Sequence, residues 1–215
     1  YLEVAPFHPH KIYPEYYFSI EDVSDQINPA YDGLRNSFYL LEMDIKNYNT
    51  LNWNPLCNVV KPGDNVVVKP NYVQHVNYSE QDYNSVVVHT SLIRAIIDYI
   101  LIALKGNGKI TIADAPLWDA DFDVIIKRMQ VNELLMFYKE NNIEIDLIDM
   151  RRMRVTQKHG LVVDRRFNEE MIKNSKVIDL SNKSEFCGFE KYENFLNGMD
   201  YNRSKTVKHH SNGKH

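Results

Sequence analysis

Apolar residues in this chain are concentrated in short blocks separated by turn-forming residues, and the clearest blocks lie between Lys61 and Pro116. Val66–Lys69 is a β-branched run closed by Pro70, which predicts a strand buried on both faces. From Leu92 to Leu104 nearly every position is apolar, interrupted by Arg94 and Asp98, which predicts a helix covered on most sides. Thr90 or Ser91 is the expected N-cap, and Gly106 and Gly108 supply the expected stop. Lys109–Ala113 then reads as a second strand. Strand, helix, glycine stop and strand in this order predict a right-handed βαβ crossover.

The pattern continues with a broken helical crossover, Asp121–Met129 and Asn132–Asn141, and a third strand at Ile143–Ile148. Beyond Asp149 the period changes. Met153–Lys158 and Leu161–Arg165 flank His159 and Gly160, as in a hairpin with a two-residue turn. A helix near Asn168–Asn174 and a strand at Lys176–Leu180 follow, and the chain from Ser181 onward is polar and poorly periodic.

Before Lys61 the pattern differs. Tyr1–Tyr17 sets Pro6, Pro9 and Pro14 among aromatic residues, which favours an extended, clamped arm over a helix or disorder. Ser24–Tyr48 contains a strand or short helix around Ser37–Met43, and Leu56–Val60 reads as one or two helical turns. The fold class expected is α/β: an open, mostly parallel sheet flanked by helices, with a β-hairpin elaboration and an extended aromatic N-terminal arm. Residues 1–60 form the arm and lead-in, packed on the same domain as the α/β region 61–215.

At 215 residues the chain can bury a core without staples, and a net charge of −4 gives no general attraction to nucleic acid or anionic lipid. Cys57 and Cys187 lack metal-binding or framework spacing and read as reduced thiols. The longest central apolar run, Tyr99–Leu104, is far too short to cross a bilayer. No export signal is visible after Tyr1, and a cytoplasmic setting is expected.

Candidate chemistry follows from the strand ends, because open parallel sheets bind ligands at their carboxyl edge. Lys69 and Asn71 stand at the end of the first strand, where an ammonium and an amide can meet an anionic ligand. The structural alternative is an ion pair for Lys69 and a turn held by Asn71. His89, Thr90 and Ser91 sit at a helix start, which suits either anion binding or plain capping, and His89 is a candidate proton carrier.

Asp114 ends the second strand, with Asp119 and Asp121 just beyond. These carboxylates suit a general base or a hard cation such as magnesium, or else a helix cap and an ordered loop. The candidate catalytic set is therefore Asp114, Lys69 and His89, with Asn71, Thr90 and Ser91 binding ligand.

His209, His210 and His215 lie in a polar stretch with no further ligand after them, which gives a metal site little support. Arg151, Arg152, Arg154, Arg165 and Arg166 form either a basic patch on the hairpin or a solvated face. Gly106-Asn107-Gly108 follows a helix and precedes a strand, the reverse of a dinucleotide loop. The common hydrolase and P-loop signatures do not occur.

The blocks WNPLCNVVKPGDNVVVKPNYV, VVVHTSLIRAIIDYILIALKGNGKITIADAP and HHSNGKH resemble the amino-terminal part of domain of unknown function family 362. The likeness covers Leu51–His215. The family's later blocks, a Pro-Lys-Leu-Lys-Thr-His-like strand end and an Asn-Gly-rich region, do not occur, so the resemblance implies a truncated copy. It also implies a link to surface polysaccharide synthesis. Some members are fused to iron–sulfur modules, but this chain has no cluster-binding cysteine set.

The expected function is binding of, or action on, a small phosphate- or carboxylate-bearing molecule, such as an activated sugar. The first alternative is a non-catalytic partner-binding or scaffold domain. It would use the arm and the exposed part of the Leu92–Leu104 helix, with a homo-oligomer or a missing C-terminal half as the partner. The second is a racemase-like or iron–sulfur-associated redox protein, by analogy.

Overall fold

The computed structural model describes residues 4–19, 21–159 and 161–174. The chain divides into two compact units, Tyr1–Asn168 and Glu169–His215. Within the second, the described residues hold one helix, Glu169–Asn174. The expected strand at Lys176–Leu180, Cys187 and the three late histidines lie outside the described residues.

The first unit is built on a parallel sheet of three strands, β1 (Asn65–Val68), β2 (Lys109–Asp114) and β3 (Ile145–Asp149), in that spatial order. Helix α2 (Thr90–Leu104) carries the chain from β1 to β2, and α3 (Phe122–Arg128) with α4 (Val131–Glu140) from β2 to β3. Gln130, at φ 54°, makes the break between α3 and α4. The register aligns Val66 with Ile110 and Ile145, and Val68 with Ile112 and Leu147. These six side chains form the sheet's contribution to the core.

Val67 and Thr111 point the other way, and Val67 is 59% exposed. The expectation of a first strand buried on both faces is therefore corrected. Among the described residues β1 is an edge strand, covered on one face and partly open on the other. A run of valines has no alternation, so nothing in it marked which face was covered.

Helix α2 is enclosed, as its unbroken apolar character requires, by β1, α4 and the first helix, α1 (Pro29–Leu40). Its N-cap is His89, whose Nδ1 accepts from the Ser91 amide at 3.2 Å, and not Thr90 or Ser91. Its stop begins at Lys105, which is already left-handed at φ 52°, ahead of Gly106. Gly108 follows at φ 145°, where a Cβ would lie 2.6 Å from the Asp64 carbonyl oxygen and from a Leu104 methyl. Because α2 is buried along nearly its whole length, it offers no exposed apolar strip to a partner.

The aromatic arm is clamped, as expected. Phe7 and Tyr13 are buried, and Tyr13 stacks on Tyr31 of α1 at 5.5 Å between ring centres. Arg94 and Asp98 hold the arm from within α2. Arg94 donates to the Pro6 carbonyl at 3.1 Å and to the Tyr16 hydroxyl at 3.1 Å. Asp98 accepts from the hydroxyls of Tyr31 at 3.0 Å and Tyr138 at 2.8 Å. Burial, with the Asp98 charge beside them, pushes both phenols well above their usual pKa and keeps them as donors.

The segment before β1 also differs from its reading. α1 starts at Pro29 behind the Asn28 cap, so the helix begins well ahead of Ser37. Residues 56–60 close one turn, the Val60 amide donating to the Leu56 carbonyl at 2.9 Å. Beyond β3, the antiparallel pair β4 (Met153–Lys158) and β5 (Leu161–Phe167) forms the predicted hairpin, with Lys158 opposite Leu161 and an irregularity at Thr156/Gln157. Among the described residues no helix is long and apolar enough to cross a membrane.

Candidate functional site

The carboxyl edge of the parallel sheet gathers charge because each strand runs directly into a polar loop. Lys69 follows β1, and its ammonium lies 2.8 Å from Oδ1 of Asp114, the last residue of β2. Asp114 is almost wholly buried, whereas the Lys69 side chain is 55% exposed. The other Asp114 oxygen accepts the Tyr72 amide at 2.7 Å, and Lys69 also donates to Asn71 Oδ1 at 3.3 Å. The strand-end residues picked from the sequence, Lys69, Asn71 and Asp114, are thus brought together.

Across the next strand boundary Asp114 is in register with Asp149, which ends β3. The Asp149 side chain is also buried, and two arginines pair with it. Arg151 contacts both of its oxygens, at 2.6 Å for the shortest pair, and donates to the carbonyls of Leu117 at 2.9 Å and Ala120 at 2.6 Å. Arg151 therefore ties the loop after β2 to the end of β3. Arg154 reaches Asp149 Oδ2 at 2.8 Å with one nitrogen, while its side chain stays 47% exposed.

A cleft of about 610 Å³ opens beside these groups. One wall is the hairpin, with Arg154, Thr156, Gln157, His159 and Arg166; the other is the segment 119–123, together with His75 and Tyr78. Asp119 is steadied by Gln74 at 3.0 Å and Gln157 at 3.4 Å. Asp121 caps α3 through the Val124 amide at 3.1 Å, as one reading of the sequence had it. The His75 ring nitrogen Nδ1 lies 2.5 Å from Gln74 Oε1 and 3.1 Å from the Asp121 amide nitrogen, which fixes the ring between the two segments.

The remaining candidates lie elsewhere. Thr90 and Ser91 are fully buried in the first turn of α2, and the Ser91 hydroxyl is 2.9 Å from His89 Nδ1. His89 lines a separate cavity of about 540 Å³ with Asp82, Tyr83, Asn84, Arg128 and Gln130. Among the described residues no donor set matches the magnesium expectation. Both oxygens of Asp114 are engaged, and among the described residues no three His, Cys, Asp or Glu side chains gather as ligands.

The sequence reading missed Asp149, Arg151 and Arg154 as a site, although Asp149 and Arg151 stand at a strand end like Lys69 and Asp114. Applying the same positional rule to the third strand would have found them. The protein defined by this geometry is an α/β sheet protein with a charged cleft at its carboxyl edge. No protein-family model, curated protein or solved structure matches the chain.

Proposed function

We propose that the protein binds a small anionic molecule, bearing phosphate or carboxylate, over the carboxyl edge of its parallel sheet. The observation that carries this reading is Arg154, a half-exposed guanidinium held at the cleft by the buried carboxylate of Asp149. A guanidinium is weakly hydrated, and its planar fork matches the oxygens of phosphate and carboxylate. One nitrogen spent on Asp149 leaves the rest of the fork for a ligand.

Lys69 and Asn71 border the same edge and supply a second cation and an amide. Lys69 keeps its ammonium half-exposed at the rim of that edge, with the buried Asp114 carboxylate behind it at 2.8 Å. His89, Thr90 and Ser91 serve the start of α2 in this reading. The likeness to the uncharacterised domain family suggests a phosphorylated or activated sugar of surface polysaccharide synthesis as the ligand.

Thermal unfolding with added inorganic phosphate and sugar phosphates tests the proposal. A ligand that binds only the folded state raises Tm. The rise is expected for the intact protein, reduced in Lys69→Met and lost in Arg154→Met. If no anion moves Tm, the proposal fails.

A further inference from the structure

Arg154 and Arg166 are directly opposed partners in the β4–β5 ladder. Directly opposite positions bring Cβ atoms to about 5 Å, and like charges there destabilise a hairpin. Neither arginine is neutralised by the other strand. Arg154 leans on Asp149 at the sheet edge, and Arg166 on Asp164 of its own strand, each at 2.8 Å. Arg166 is 82% exposed, and both arginines line the 610 Å³ cleft. The facing wall carries the opposite sign, with Asp119, Asp121 and Asp123. The Asp123 side chain makes no hydrogen bond or ion pair among the described residues.

We propose, resting on the anion-binding reading above, that this cleft takes the phosphate monoester of a polyhydroxylated molecule. Its phosphate is held between Arg154 and Arg166, and its hydroxyls donate to Asp119 and Asp123. Two guanidinium groups side by side offer more donors than the two oxygens of a carboxylate can use. A phosphate monoester brings three terminal oxygens and a charge of about −1.5 to −2, which matches the two cations.

Ionised carboxylates only accept hydrogen bonds, so the acidic wall selects a body rich in donors and repels a second anionic group. A sugar phosphate meets both walls. A diphosphate sets negative charge against the aspartates.

The test is titration calorimetry on the full chain with glucose 1-phosphate, inorganic phosphate, pyrophosphate and glucose. Glucose 1-phosphate is expected to bind more tightly than inorganic phosphate or pyrophosphate, with glucose alone weakest. Arg166→Met is expected to weaken both phosphate and glucose 1-phosphate about tenfold or more, the loss of charge-assisted bonds. Its unliganded Tm is expected to stay the same or rise, because a like-charge pair is relieved. Asp123→Asn is expected to weaken glucose 1-phosphate several-fold and leave inorganic phosphate unchanged or tighter.

If Arg154→Met abolishes binding and Arg166→Met does not change it, anion binding stands and the two-arginine clamp falls. A drop of several degrees in the unliganded Tm of Arg166→Met would make that arginine structural and overturn the clamp. Tighter binding of pyrophosphate than of glucose 1-phosphate overturns the monoester assignment. If the intact chain binds none of the probes, both proposals fail together.

Discussion

Arg94 and Asp98 face each other across one turn of α2, with Nε 2.9 Å from Oδ1, and solvent reaches neither side chain. The pair is the hub of the interior, since the arm, α1 and α4 each send it a hydrogen-bonding group. Removing one member leaves the other charged and uncompensated in a low-dielectric setting, at a cost of about 3–5 kcal/mol. Asp98→Asn is expected to lose that much in urea unfolding. An Arg94→Met/Asp98→Leu double variant is expected to lose less than the two single changes added together.

His8, half-buried in the arm against the Phe137 ring, has its pKa lowered from 6.5 to about 4, first by burial and then by the Arg94 charge. As pH falls, the unfolded chain takes up this proton before the folded one does. The contribution to stability is therefore complete above about pH 6.5 and is lost progressively toward pH 4. His8→Phe is expected to flatten Tm against pH across that window. An unchanged slope would assign the effect to other groups.

Gly108 holds a φ of 145° with Asp64 and Leu104 pressed against it. Gly108→Ala adds a methyl where neither the backbone angle nor the neighbours accommodate it. A loss of about 2 kcal/mol or more is expected in chemical denaturation, with Gly106→Ala costing less because nothing crowds that position.

Asp149 anchors two arginines at once. Asp149→Asn is expected to cost about 3 kcal/mol or more, since Arg151 is buried and keeps its charge. It is also expected to speed hydrogen exchange at the amide of Ala120 and to weaken phosphate binding by freeing Arg154.

The sheet was legible in the sequence because its strands are short branched runs punctuated by Pro70, Gly108 and Asn142, and because sequential parallel strands obey one handedness. The meeting of Lys69 with Asp114 followed from that alone. α1 was not legible. Its Asp, Gly and Asn residues read as breakers, while the contacts that stabilise it are distant in sequence, as Arg35 with Glu15 at 2.7 Å and Tyr31 with Asp98 show.

Arg94 and Asp98 read as interruptions of an apolar helix for the same reason. A periodic pattern carries no information about a tyrosine arriving from 40 or 67 residues away. The cleft was obscured because Arg151, Arg154 and Arg166 look like any charged surface until the hairpin folds beside the 119–123 loop.

The belt of contacts around α2 has a bearing on fragments of this chain. Pro6 and Tyr138 grip the same helical turn from far-apart places in the sequence. A piece that ends before α4 would shelter Asp98 without one of its donors, and a piece that begins after the arm would leave Arg94 lacking an acceptor. Dissection of the protein into smaller working parts is therefore expected to fail on either side of this helix, and only cuts outside the span from Pro6 to Tyr138 keep its ion pair fully dressed.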